Sequence, residues 1–89
     1  MKTIFSLEVE HLVENQLRTS TFRKSFELEQ IPRQGDLVSI QGSFATIRPR
    51  ITSVCWHLRD KTITIILEMF RPVITNELEA LREDGWTTD

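Results

Sequence analysis

Cys55 and His57 are the pair of side chains in this sequence that could act as a nucleophile and its base. Residues two apart on a strand point to the same face, so the thiol and the imidazole would be neighbours, opposite Trp56. Covalent catalysis also needs a group that orients the base, and zinc needs three or four ligands. The sequence supplies neither, which favours an ordinary strand thiol beside a histidine.

Other chemistry leaves no stronger signal. Gly35, Gly42 and Gly85 are too scattered to form a nucleotide-binding loop. The acidic residues near the C-terminus have the spacing of a solvated helix face, or alternatively of an acidic docking surface: Glu77, Glu79, Glu83 and Asp84. We therefore expect no enzymatic activity, no metal and no cofactor.

The segment Arg48-Pro49-Arg50 is the most concentrated cationic feature of the chain. Two guanidinium groups around a rigid proline form a preorganised fork for a phosphate or a carboxylate. Nearby Phe44 could serve as an aromatic platform, and further cations stand on other predicted loops. The candidate binding surface therefore comprises Arg33, Phe44, Arg48, Arg50, Arg59 and Lys61.

Charge is unevenly distributed along the chain. Residues 18–61 have a net charge of +4, whereas residues 62–89 have a net charge of −4. Two interpretations remain open: the two parts attract each other within the molecule, or the basic loops bind an anionic partner. The overall charge of −2 favours the first, because nucleic-acid modules are usually markedly basic.

Two strands are predicted near the N-terminus. Apolar and polar residues alternate from Ile4 to Val13, which is the period of a half-buried strand, although residues 9–17 also fit a short helix. We favour a hairpin that turns at residues 14–16. Its return strand would place Phe22, Lys24 and Phe26 on one face, with the ammonium group at the rim.

A second hairpin is predicted between Ile51 and Leu67, turning at residues 59–62. Trp56 would lie at the centre of the core, because an aromatic side chain of that size buries about 200 Å². Shorter strands near residues 37–40 and 44–47 would precede this hairpin, separated by turns at Gly35 and Gly42.

The last element is predicted to be a helix over residues 75–85. Asn76 would cap it, Glu79 would complete a capping box, and Gly85 would end it. Leu78 and Leu81 share its apolar face, which must pack on the sheet or on a partner because so short a helix is marginal alone. Trp86, just beyond Gly85, would then hold the helix in place.

Short strands with tight turns and one terminal helix resemble the SH3-like small barrels over residues 22–68, where the segment 32–38 is similar to their turn-then-strand entry. The predicted fold is mainly β: a small antiparallel barrel or rolled sheet of five or six strands with one short C-terminal helix. Residues 1–89 would form one domain. The chain shows no signal peptide, no membrane span and only one cysteine, which predicts a cytoplasmic protein.

The predicted function follows by elimination. A chain with no catalytic constellation but with exposed strand edges and loops would act as a protein-interaction or adaptor module, with a protein partner or a second copy of itself. The alternative is a small nucleic-acid-binding protein that uses Arg48, Arg50 and the neighbouring basic loops. No membrane partner is expected.

Overall fold

The computed structural model describes residues 2–88, and its largest feature is an N-terminal hairpin. Strands β1 (Lys2–Val13) and β2 (Gln16–Glu27) pair along their whole length. Glu14 and Asn15, with φ of 51° and 65°, form the two-residue turn that matches the twist of the flanking strands. The hairpin prediction is confirmed, and the helical alternative for residues 9–17 is wrong.

The remaining strands complete an open, mixed sheet. They are β3 (Ile40–Gln41), β4 (Thr46–Ile47), β5 (Arg50–His57), β6 (Thr62–Glu68) and β7 (Thr87–Thr88), with the helix α1 (Thr75–Glu83) between β6 and β7. Five of the strands form a sheet in the order β5-β6-β1-β2-β7, and β3 pairs with β4 separately. The second predicted hairpin is confirmed, since β5 and β6 are antiparallel.

The antiparallel barrel predicted from the sequence is not what forms. β1 and β6 are parallel neighbours in the middle of the sheet, and the sheet does not close, so the structure does not confirm an SH3-like type. Alternation of apolar residues is the same in parallel and antiparallel strands, and therefore could not reveal this pairing. The coarser expectation of a mainly β protein with one short C-terminal helix is confirmed.

One face of the sheet carries the core. Its inward side chains come from four strands: Phe5, Leu7, Val9, Phe22, Ile51, Ile63, Ile65 and Leu67. The layer above them consists of α1, the β3–β4 pair and the segments beside them, and it contributes Ile40, Ile47, Val73, Leu81 and Trp86. The opposite, outer face has no layer over it within residues 2–88.

The two tryptophans differ strongly in burial. Trp56 lies on the core side of β5, opposite Ile63, but it is 52% exposed. Trp86 is 3% exposed and meets the ring of Phe5 edge-on at a centroid distance of 6.3 Å. The prediction that Trp56 is the centre of the core is wrong, because the covering layer does not extend over the end of β5.

Helix α1 begins at a different cap from the predicted one. Glu77, at the third helical position, accepts the backbone N–H of Ile74 at 3.1 Å, so neither Asn76 nor Glu79 provides the cap. Glu77 is 3% exposed and forms two hydrogen bonds with Arg71, of 2.6 and 2.7 Å. These bonds lower the pKa of the Glu77 carboxyl, and they raise that of Arg71.

The other end of α1 agrees with the sequence. Gly85 adopts φ of 92°, and the N–H groups of Gly85 and Trp86 donate to the carbonyls of Arg82 and Leu81. This is the Schellman arrangement, which turns the chain back toward the sheet. Lys24 donates to the carbonyl of Asp84, where a cation satisfies the negative end of the helix.

The β3–β4 turn packs closely on the helix. A Cβ atom added to Gly42 would lie 2.5 Å from the Cα of Ala80, so only glycine fits there. The N–H of Ser43 donates to a carboxylate oxygen of Glu83 at 2.7 Å. Nothing among residues 2–88 forms a helix long and apolar enough to cross a membrane.

Candidate docking surface

In the predicted arginine fork, backbone hydrogen bonds hold the chain on either side of Arg50. The carbonyl of Pro49 accepts the N–H of Val38 at 2.9 Å, and the N–H of Ile51 donates to the carbonyl of Asp36 at 2.9 Å. Pro49 is fully buried, whereas Arg48 and Arg50 on either side of it are exposed. The sequence therefore holds two guanidinium groups on one anchored stretch of chain.

The two arginines lie beside Phe70, just beyond the end of β6. The guanidinium carbon of Arg50 is 5.1 Å from the centre of the Phe70 ring, within cation–π range, and Phe70 is 73% exposed. Arg48 faces the same aromatic across a shallow groove of about 580 Å³. This basic groove is lined by Thr46, Ile47, Arg48, Met69, Phe70 and Arg71.

A second groove, of opposite charge, lies on the other side of the same segment. It has a volume of about 340 Å³ and carries three carboxylates, those of Glu8, Glu10 and Glu68. Glu8 and Glu68 are direct neighbours in the parallel β1–β6 register. The acidic groove shares Met69, Phe70 and Arg71 with the basic groove, so these three residues form a ridge between the two.

Most of the charges on this surface form no described ion pair. Within residues 2–88, no ion pair involves Arg48, Arg50 or any of the three carboxylates. Arg71 is the exception on the ridge, because its guanidinium turns toward Glu77 and helix α1. The ridge itself therefore presents an aromatic side chain between two arginines and three carboxylates.

The other residues of the predicted surface lie elsewhere. Arg59 and Lys61 occupy the β5–β6 turn, at the opposite end of those strands; the seven residues from Thr62 to Glu68 span about 20 Å. Arg33 lies in a concavity with Trp56. Phe44 is 82% exposed near the β3–β4 turn, and no cation–π contact joins it to a described arginine. The predicted surface is thus divided, and only Arg48 and Arg50 come together.

Sequence reasoning missed Phe70, although the sequence contains a signal for it. The core side chains of β6 are Ile63, Ile65 and Leu67, all at odd positions, so Phe70 falls in the outer phase. Arg50 pairs with Glu68, and continuing that antiparallel register would bring Phe70 opposite Arg48. Phe70 is at an even position and the core residues of β6 are at odd positions, and this comparison would have identified Phe70 as an outward-facing aromatic.

Cys55 and His57 lie on β5 opposite Thr64 and Thr62 of β6. Cys55 is exposed, and Nε2 of His57 shares a hydrogen bond of 3.0 Å with the Thr64 hydroxyl. No group of three or more histidine, cysteine or acidic side chains among residues 2–88 is placed to hold a metal ion.

Comparison of the chain with protein-family models, with curated proteins and with solved structures finds no match.

Proposed function

We propose that this protein is a non-enzymatic, cytoplasmic protein-interaction module, and that its basic groove recognises a carboxylate-bearing segment of a partner polypeptide. The observation that carries the proposal is the placement of Arg48 and Arg50 beside the exposed ring of Phe70. Arginine forks bind carboxylates in a bidentate manner, and an exposed aromatic supplies apolar contact area.

The backbone around the groove supports this role. Hydrogen bonds from Val38 to the Pro49 carbonyl and from Ile51 to the Asp36 carbonyl fix the chain on both sides of Arg50, so this arginine is attached to an ordered segment. Less main-chain entropy is then lost when a partner binds. Neither arginine forms a described ion pair, although Arg50 lies opposite Glu68 in the β5–β6 register.

Nucleic-acid binding is the second candidate, and the same arginine–aromatic contact favours it, because single-stranded nucleic acids stack on aromatic side chains beside cations. The acidic residues near the groove argue against nucleic-acid binding. A phosphate backbone extended across the ridge would meet the carboxylates of Glu8, Glu10 and Glu68. A short acidic peptide segment avoids that repulsion.

Titration of ¹⁵N-labelled protein separates the two functions. The probes are a ten-residue peptide of glutamate and phenylalanine, its glutamine counterpart, and mixed-sequence single- and double-stranded oligonucleotides, at about 50 mM salt. We expect the acidic peptide to shift the amide signals of residues 46–48, 50 and 69–71, and the glutamine peptide to bind at least about tenfold more weakly.

Two double variants serve as test and control. Arg48→Ala with Arg50→Ala should abolish peptide binding, whereas Arg59→Ala with Lys61→Ala removes the same charge at the opposite end and should retain it. Absence of peptide binding at millimolar concentration would refute the proposal. Micromolar oligonucleotide binding that only the first variant loses would establish the nucleic-acid function instead.

A further inference from the structure

The ridge of Met69, Phe70 and Arg71 separates flanks of opposite charge. One flank presents Arg48 and Arg50, and the other presents the carboxylates of Glu8, Glu10 and Glu68. The exposed ring of Phe70 stands between them.

The acidic flank contains no described ion pair. Glu8 and Glu68 stand side by side on neighbouring strands, and like charges in that position disfavour each other. Arg50 lies opposite Glu68 in the β5–β6 register but forms no described ion pair with it, and the one arginine of the ridge is held by Glu77. A cation brought by a partner would therefore relieve repulsion in addition to forming new ion pairs.

A surface with this layout is complementary to itself. Rotation by 180° about an axis that lies in the contact plane and runs along the ridge places the arginine flank of one copy against the carboxylate flank of the other. The same rotation brings the two Phe70 rings together at the centre, where apolar contact and exclusion of water contribute most. An axis across the ridge would instead oppose like charges.

We propose that the partner at this surface is a second copy of the same chain, docked about a two-fold axis along the ridge. The inference rests on the proposed function, since it names the polypeptide that supplies carboxylates to the basic groove. Its contacts are those of Arg48 and Arg50 with the carboxylates of Glu8, Glu10 and Glu68 of the second copy.

Sedimentation velocity of the wild-type protein over a range of about 5 to 500 µM tests self-association. At about 50 mM salt we expect a monomer–dimer equilibrium in the micromolar range, shifted toward monomer at about 500 mM salt, because exposed ion pairs are screened. Phe70→Ala should weaken the dimer by about tenfold. As that ring is mostly exposed, its loss leaves the folded monomer intact.

Charge reversal then tests the orientation. Arg48→Glu with Arg50→Glu makes both flanks acidic, and Glu8→Lys with Glu10→Lys makes both basic, so each double variant should be monomeric alone. Mixed in equal amounts, the two should form a heterodimer, since every flank again meets its opposite.

A net-charge control accompanies the mixture. Arg59→Glu with Lys61→Glu changes the overall charge as much as the arginine-flank variant but leaves the ridge untouched. This control should dimerise alone. Its affinity for the basic variant, Glu8→Lys with Glu10→Lys, should be lower than the affinity of the arginine-flank variant for that same protein. If the control and the arginine-flank variant bind the basic variant equally well, overall charge would explain the heterodimer, and the two-fold geometry would be refuted.

Two further results would overturn the inference: a wild-type monomer throughout the concentration range, or a dimer that the arginine-flank reversal leaves unchanged. Neither result affects the proposed function, which is read from peptide binding to the monomeric Glu8→Lys, Glu10→Lys variant, whose basic groove is unchanged. Absence of peptide binding to that variant, with wild-type dimerisation intact and insensitive to Arg48 and Arg50, would instead reject the basic groove as a binding site.

Discussion

The surroundings of Trp86 and Trp56 differ in a way that explains how this small sheet is stabilised. Both side chains lie on the core side of the sheet, yet one is 3% and the other 52% exposed. Trp86 follows the Schellman turn and packs against Phe5 within the layer that includes α1. Trp56 lies near the end of β5, beside the loop residues Ile31 and Pro32.

The difference shows that strand alternation decides which face a side chain occupies, while a second layer decides whether it is buried. Trp56 has the correct phase, since it pairs with buried Ile63, and it remains exposed. Helix α1 and the β3–β4 pair therefore determine where the core ends. Four substitutions test this comparison, from the largest expected effect to the smallest.

Trp86→Ala should have the largest effect on stability. Removing a buried aromatic costs about 3–5 kcal/mol, which is most of the free energy of unfolding expected for a domain of this size. Urea denaturation followed by far-ultraviolet circular dichroism measures the loss. Trp86→Phe is the matched control: it keeps an apolar ring but removes the hydrogen bond to Asp84, and should cost less. A small effect of Trp86→Ala would show that the covering layer is not needed.

Gly42→Ala should separate the β3–β4 turn from the helix. The added methyl group would overlap the backbone of Ala80, and overpacking of this kind costs about 1–3 kcal/mol. Thermal unfolding measures the effect. Ser43→Ala keeps the backbone N–H that bonds Glu83 and adds no atom, so its melting temperature should match the wild type. Equal melting temperatures for all three proteins would contradict the close approach.

Glu77→Gln should weaken the start of the helix by about 1–2 kcal/mol at neutral pH, because charge-assisted hydrogen bonds to Arg71 are lost. The pKa of this carboxyl is lowered in the folded protein, chiefly by the hydrogen bond from Arg71. Its stabilisation is therefore present above the unfolded value of about 4.3 and is lost as the pH falls through the lower folded value.

Urea denaturation of both proteins between about pH 2 and pH 7 checks the Glu77 prediction. The stability difference between wild type and Glu77→Gln should shrink as the pH decreases below about 4.3. A difference that stays constant across this range would mean that Glu77 acts through packing rather than charge.

Trp56→Ala should have the smallest effect, about 1 kcal/mol or less, because half of the side chain is already in contact with water. The same urea experiment used for Trp86→Ala gives a direct comparison. A loss as large as that of Trp86→Ala would place Trp56 in the core after all and remove the contrast between the two tryptophans.

The candidate docking surface was predictable in part. Arg48 and Arg50 could be singled out because their spacing around a proline is visible in the chain itself. Their aromatic neighbour could not be found by proximity in sequence, since Phe70 is 20 positions from Arg50 and reaches it through the β5–β6 register. Arg59 and Lys61 lie apart from them, because the β5–β6 turn is at the opposite end of the strands that bring Phe70 close to Arg50.

The acidic groove is formed by a strand pairing that the sequence pattern does not reveal. Glu8 and Glu68 are 60 positions apart and become neighbours because β1 and β6 run parallel. Parallel and antiparallel strands share the same two-residue period, so the pattern left that choice open.

The sequence by itself determined the elements governed by local physics. Alternation defined the four long strands, the Glu14–Asn15 turn set the first hairpin, and Gly85 ended the helix, because dihedral preferences and periodicity act over a few residues. Only the tertiary structure decided which strands are neighbours, which tryptophan is covered, and that two arginines and three carboxylates lie on either side of Phe70. These outcomes depend on contacts between segments that are distant in sequence. The favourable free energy of such contacts comes from burying apolar surface across the whole folded domain, and no single stretch of chain determines it.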